Sequence, residues 1–77
     1  MVKREDILRN HNRNSIVNLV KDNKGITFTE IKDKLNLENG VLAYHINVLE
    51  KNIYIKSVED GKYRRFYARR VKVPKLH

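Results

Sequence analysis

Only Asn36 to Asn39 separate two stretches of helical periodicity in this chain, and so short a link leaves room for nothing but a tight turn between two helices. Before the turn, Phe28, Ile31 and Leu35 recur at i, i+3 and i+7, which gives a helix from Thr27 to about Asn36 one buried stripe. Its start is the clearest local signal in the sequence. Thr27 and Glu30 have capping-box spacing, in which each side chain satisfies a backbone N–H at the helix start, and Ile26 with Ile31 supplies the hydrophobic staple. After the turn, from Gly40 to Lys51, Leu42, Ile46 and Leu49 fall on one side of the helix at about 100° per residue. Gly40, Ala43, Tyr44, Asn47 and Lys51 fall on the other, so one face packs and the opposite face is left for contact. Leu37 is placed to plug the turn.

A further helix precedes this pair. With Asn12 as its N-cap, Arg13 to Lys21 sets Ile16, Leu19 and Val20 at helical spacing, and Asp22-Asn23-Lys24-Gly25 reads as a stop. Residues 1–11 carry Ile7 and Leu8 among charges, enough for a short leading helix. Beyond the last helix, where Asn52 is expected to take the left-handed stop conformation, the chain turns strand-like. Ile53 to Val58 and Tyr63 to Ala68 are rich in β-branched and aromatic residues, and Asp60-Gly61 is a hairpin turn signal. With those two residues as the loop, Glu59 pairs with Lys62, Val58 with Tyr63, Lys56 with Arg65 and Ile55 with Phe66. Ile53, Ile55, Phe66 and Ala68 then close the core, while Tyr54, Lys56, Tyr63, Arg65 and Tyr67 are displayed. Lys56 facing Arg65 sets like charges together, a repulsion that a bound phosphate relieves. Pro74 ends regular structure in a basic tail.

Composition narrows the partner. The formal net charge is +8, and from Lys62 to His77 there is no acidic residue among seven basic ones, which points to a polyanion. A chain of 77 residues has too small an interior for a large active site, and it has no cysteine for disulfides or thiolate metal sites. His11, His45 and His77 lie far apart with no ligand spacing, so no metal is expected; His45, at the edge of the buried stripe, is expected to be partly buried and hydrogen-bonded. There is no phosphate loop, nucleophile elbow or carboxylate pair, so neither catalysis nor a cofactor is expected. The absence of a long apolar run or an apolar leader leads to the expectation of a cytoplasmic protein without a membrane partner.

The order helix, helix, tight turn, helix, hairpin, together with Gly25-Ile26-Thr27-Phe28-Thr29-Glu30-Ile31, Leu42-Ala43-Tyr44-His45-Ile46-Asn47-Val48-Leu49-Glu50 and Asp60-Gly61-Lys62-Tyr63-Arg64-Arg65-Phe66-Tyr67, resembles the small winged helix-turn-helix regulators of archaea and bacteria. Asn12-Arg13 followed by Ile16 is similar to the opening of their first helix. The resemblance covers roughly residues 12–68. It departs where relatives usually have a glycine between the last helix and the first wing strand, since this chain has Asn52-Ile53. It implies a mostly helical α+β fold: three core helices and a C-terminal β-hairpin wing, with the leading helix in addition. The expected organisation is one domain over residues 1–77, with a core at about 12–68 and a basic tail at 69–77.

What the resemblance implies for function is a transcription regulator that binds double-stranded DNA, its last helix in the major groove and its wing on the backbone. Base readout then falls to Asn39, Gly40, Ala43, Tyr44 and Asn47, with Asn47 suited to adenine and Ala43 to a thymine methyl. The wing cations are Lys56, Lys62, Arg64 and Arg65; Arg13, Lys32 and Lys51 are further phosphate contacts. Thr27 and Thr29 are read as structural. A homodimer is expected because two half-sites multiply limited specificity, with Ile7, Leu8, Val71, Val73 and Leu76 available to pack across a twofold axis. Two alternatives stand: a winged-helix module that docks a protein, and an RNA or single-strand binder that stacks bases on Tyr44, Tyr63 and Tyr67.

Overall fold

The computed structural model describes residues 4–73, with side chains from Asp6 onward; the expectations placed on Pro74, Lys75, Leu76 and His77 lie outside the described residues. The elements run α1 Arg4–Ile7, α2 His11–Asp22, β1 Ile26–Thr27, α3 Phe28–Leu35, α4 Asn39–Lys51, β2 Ile55–Asp60 and β3 Tyr63–Ala68.

α2 begins earlier than its pattern indicated. Asn10, not Asn12, is the cap, and its Oδ1 accepts the N–H of Arg13 at 3.2 Å. The earlier start brings Arg13, Ile16, Val17 and Val20 to one buried face at i, i+3, i+4 and i+7. In α3 the capping box forms in full: Thr27 Oγ1 accepts from the N–H of Glu30 at 3.2 Å, and Glu30 Oε1 accepts from the N–H of Thr27 at 3.0 Å. Those bonds to Thr27, backbone first and hydroxyl second, hold the Glu30 carboxyl below its ordinary range. Asn36, left-handed at φ 52, ends the helix. Leu37 then packs against the core from the turn, as its position indicated.

The exit from α4 differs from the expected one. Asn52 has φ −99; the left-handed residue is Ile53, at φ 60 and 63% exposed. The N–H of Tyr54 donates to Leu49 O at 2.9 Å and that of Ile53 to Glu50 O at 3.1 Å, the two bonds of a Schellman stop. An isoleucine thus takes the place where glycine is usual, at a local cost of about 1–2 kcal/mol. Its side chain is turned to solvent, so it does not close the core, and β2 starts only at Ile55.

The hairpin register also needs correction. Asp60 faces Tyr63, Glu59 faces Arg64, Val58 faces Arg65, Ser57 faces Phe66, Lys56 faces Tyr67 and Ile55 faces Ala68. The loop is Gly61-Lys62, with glycine at the first central position at φ 61, the pattern of a type II′ turn. Lys56 therefore does not face Arg65, and the expected repulsion between them does not arise. The slip is two residues, so the strand faces are preserved. Ile55 and Phe66 still point into the core.

One strand was not anticipated at all. β1 pairs with the free edge of β3, Ile26 opposite Phe66 and Thr27 opposite Arg65, giving an antiparallel sheet of order β1-β3-β2. Gly25, at φ 83, leads into it, and a Cβ there would lie 3.2 Å from the Tyr67 hydroxyl. The Tyr67 hydroxyl thus lies against the backbone of Gly25, and Tyr67 is buried rather than displayed. The core gathers Ile7, Ile16, Val17, Val20, Ile26, Ile31, Leu42, Ile46, Leu49, Ile55 and Phe66. Phe66 heads the fully buried side chains by volume, each worth roughly 1.5–3 kcal/mol.

Candidate nucleic-acid interface

α4 presents one continuous outward face. Asn39, Gly40, Ala43, Tyr44, Asn47 and Lys51 are all exposed on it, and Val41, not singled out from the sequence, is exposed beside them. Leu42, Ile46 and Leu49 on the opposite side are buried to within 1% of completely. Apart from its chain neighbours and its own helix backbone, no atom of the described residues lies within 4 Å of where a Gly40 Cβ would stand, so no contact among them requires glycine there.

The face is braced from behind by Arg13 and His45. Both are buried, and Arg13 Nε donates to His45 Nδ1 at 3.2 Å, joining α2 to α4. The Arg13 guanidinium also lies 5.8 Å from the Tyr44 ring, and the His45 ring meets Tyr44 edge-on at 5.4 Å. Burial first, and the Arg13 charge second, hold His45 below its ordinary value of 6.5. It is thus neutral near pH 7 and able to accept. His45 has the seating role its sequence position indicated. Arg13, expected as a phosphate contact near a helix start, is instead packed between two helices.

The wing distributes its charge unequally. Lys62 sits in the turn, exposed, 5.7 Å from the Tyr63 ring, and Lys56 is half-buried on β2; neither makes an ion pair among the described residues. Arg65 Nε donates to Asp60 Oδ2 at 2.8 Å and its Nη1 donates to Gly25 O at 3.0 Å, so it ties the wing to β1. Its pKa is raised above the usual arginine value, chiefly by the Asp60 bond. Arg64 Nη2 bonds Glu50 Oε1, and Arg64 Nε donates to Ser57 Oγ at 3.3 Å. Two of the four wing cations are thus engaged within the fold. Sequence reasoning missed Glu50 and Ser57 as the partners of Arg64, and Asp60 and the Gly25 carbonyl as those of Arg65; for Arg64 the available signal was that Glu50 is the only acid in α4. Lys51 is exposed at the end of α4 and Lys32 is half-buried on α3.

Elsewhere, Leu8, Val17, Tyr54 and Ala68 line an apolar groove of about 250 Å³ edged by Lys21, Arg69 and Arg70. Among the described residues, no group of three or more His, Cys, Asp or Glu side chains is placed to hold a metal ion, and no helix is long and apolar enough to cross a membrane.

Comparison with known proteins places this geometry. The sequence profile HTH_HVO_0163_N, an N-terminal HTH domain, matches residues 10–74. An uncharacterized HTH-type transcriptional regulator of Methanocaldococcus jannaschii, MJ1398, is 33% identical over 67 residues. The match covers 87% of this chain but only 17% of that much longer protein. Among solved structures, reduced HlyU from Vibrio cholerae superposes with a TM-score of 0.78 at 17% identity, over 83% of this chain and 66% of that one. The transcriptional regulator SlyA superposes with a TM-score of 0.71 at 28% identity, over 84% and 47%. The fold is the winged helix-turn-helix that the sequence pattern resembles.

Proposed function

This chain belongs to the HTH_HVO_0163_N family of N-terminal HTH domains, and from that premise we propose that it binds double-stranded DNA and serves transcription regulation in the cytoplasm. The observation that carries the reading is the outward face of α4, whose Asn47 and Tyr44 are exposed, uncharged hydrogen-bonding groups, with Tyr44 backed by Arg13 and His45. Set in a major groove, Asn47 matches the paired donor and acceptor of adenine, Ala43 a thymine methyl, and Tyr44 a base edge or a phosphate. Asn39 and Gly40 stand at the helix start, where the backbone comes nearest the DNA. Lys56 and Lys62 of the wing, with Lys32 and Lys51, supply phosphate contacts that set register without reading sequence. Arg13, Arg64 and Arg65 brace the elements that carry these groups. The names of MJ1398 and SlyA as transcriptional regulators support the reading.

Association of two copies is the second part of the proposal, since one short helix with few reading groups needs a second half-site for specificity. Leu8, Val71 and Val73, all half-buried, are available for it; Ile7 is not, being wholly enclosed in its own core.

Fluorescence anisotropy with a random-sequence duplex, at several salt concentrations and with a matched single strand as competitor, tests the first part. Each neutralised phosphate contributes about −0.9 to the slope of log affinity against log salt, so four lysines give a slope of roughly −3.6. Strong competition by the single strand transfers the function to unpaired nucleic acid. Absence of duplex binding at low salt leaves α4 as a protein-docking face.

A further inference from the structure

We infer that Glu50 is a positioning residue that keeps the wing arginine Arg64 off the DNA backbone, and so lowers the sequence-independent share of binding. The inference rests on the duplex-binding reading above.

Three side chains from three elements form a closed ring. Glu50, near the end of α4, accepts from Ser57 Oγ of β2 at 2.8 Å through Oε2 and from Arg64 of β3 through Oε1. Arg64 Nε completes the ring at Ser57 Oγ. The guanidinium also lies 5.0 Å from the centroid of the Phe66 ring. The Glu50 side chain is 26% exposed and that of Arg64 43%, so the pair lies at the surface with its carboxylate half-buried, and the ionised partners make charge-assisted bonds.

For Arg64 to reach a phosphate it must leave this ring. That step strips a half-buried carboxylate of its charged donor, leaving it only the Ser57 hydroxyl, while a polyanion approaches, so two costs oppose a single gained contact. Arg64 consequently adds nothing to the counterion release of the bound state. Specificity is a ratio of affinities, and the reading face of α4 is sparse. Withholding one backbone cation keeps the sequence-independent term from swamping the few base contacts. The same ring also ties the hairpin base to the end of α4, beside the Ile53 turn. A count of wing charges from the sequence does not separate Arg64 from Lys62; the acceptor that distinguishes them lies 14 residues away.

The test compares wild type, Glu50→Gln, Arg64→Gln and the double variant by anisotropy on a random-sequence duplex, with thermal melts to verify folding. Glu50→Gln keeps the shape and removes the charge that holds Arg64. It is expected to steepen the salt slope by about 0.9, an extra loss of roughly 3.5-fold in affinity between about 50 and 200 mM salt. Arg64→Gln alone leaves the wild-type slope unchanged, and the double variant returns to it, which separates freed Arg64 from the mere loss of an acid. An unchanged slope in Glu50→Gln overturns the inference while leaving duplex binding intact. A slope about 0.9 shallower in Arg64→Gln also overturns it, because Arg64 would already sit on a phosphate; this variant decides alone if Glu50→Gln does not fold. Wild type without salt-dependent duplex binding overturns both the inference and the reading beneath it.

Discussion

The outward face of α4 carries one cation, Lys51, among its six residues, whereas the hairpin from Ile55 to Ala68 carries Lys56, Lys62, Arg64 and Arg65. The two regions differ as much in what their side chains are attached to. On α4, the groups that face outward make no side-chain bond or ring contact to other elements among the described residues except at Tyr44, and the bracing is done from the buried side by Arg13 and His45. On the hairpin the two arginines are themselves the braces: Arg65 reaches the Gly25 carbonyl at the entry to β1 and Arg64 reaches Glu50 of α4. Charge on a wing is therefore a poor measure of its capacity for phosphate. What separates a binding cation from a structural one is whether an acceptor of the fold already holds it.

The comparison fails most visibly if the wing is not anchored as described. Phe66→Ala removes a bulky, fully buried side chain of the core, and the expected loss is about 3–5 kcal/mol in urea unfolding. A loss under about 1 kcal/mol would mean that the hairpin contributes little to the core.

Next in size is the contrast between reading and positioning. Asn47→Ala is expected to cost about 1–3 kcal/mol on a preferred sequence and to relax the preference at one base pair. Lys62→Gln is expected to weaken all duplexes alike and to flatten the salt slope by about 0.9. Equal losses from both variants on every sequence would erase the distinction between helix and wing.

The bracing of α4 carries its own pH dependence. His45 is held below 6.5 in the folded state, so below pH 6.5 the unfolded chain takes up a proton that the folded chain resists. The stability from neutral His45 is full above that pH and is lost as pH falls toward and through the lowered value. A denaturation series from pH 8 to pH 4.5 is expected to show this decline in wild type and a flatter profile in His45→Gln. Identical profiles would remove the neutral imidazole from the brace.

The smallest effect concerns Gly40. With open space around its missing Cβ and helical backbone, Gly40→Ala is expected to stabilise the fold by about 0.5–1 kcal/mol. If the start of α4 approaches DNA closely, the same change lowers duplex affinity. A gain in stability with affinity unchanged would place Gly40 outside the interface.

Much of this architecture was legible from short-range patterns. The capping box at Thr27 and Glu30, the turn plug Leu37 and the two faces of α4 came through as read, because each depends on residues within about one helical turn. In the hairpin a slip of two residues leaves Ile55 and Phe66 on the core side as read, whereas Ile53 is exposed and Tyr54 and Tyr67 pack inward. The register itself was not legible, because Asp60-Gly61 and Gly61-Lys62 are both acceptable two-residue loops and the local sequence does not rank them. Tyr67 was read as displayed for a related reason: the backbone that lies against its hydroxyl is that of Gly25, far upstream.

The sequence by itself determined the core helices, the capping box of α3 and which side of α4 turns outward, through interactions between near neighbours that any compact arrangement would retain. Only the tertiary structure decided which cations are available. Arg13 meets an acceptor 32 residues away, Arg64 one 14 away and Arg65 one 40 away, and a guanidinium's allegiance is set by whichever acceptor folding brings within about 3 Å.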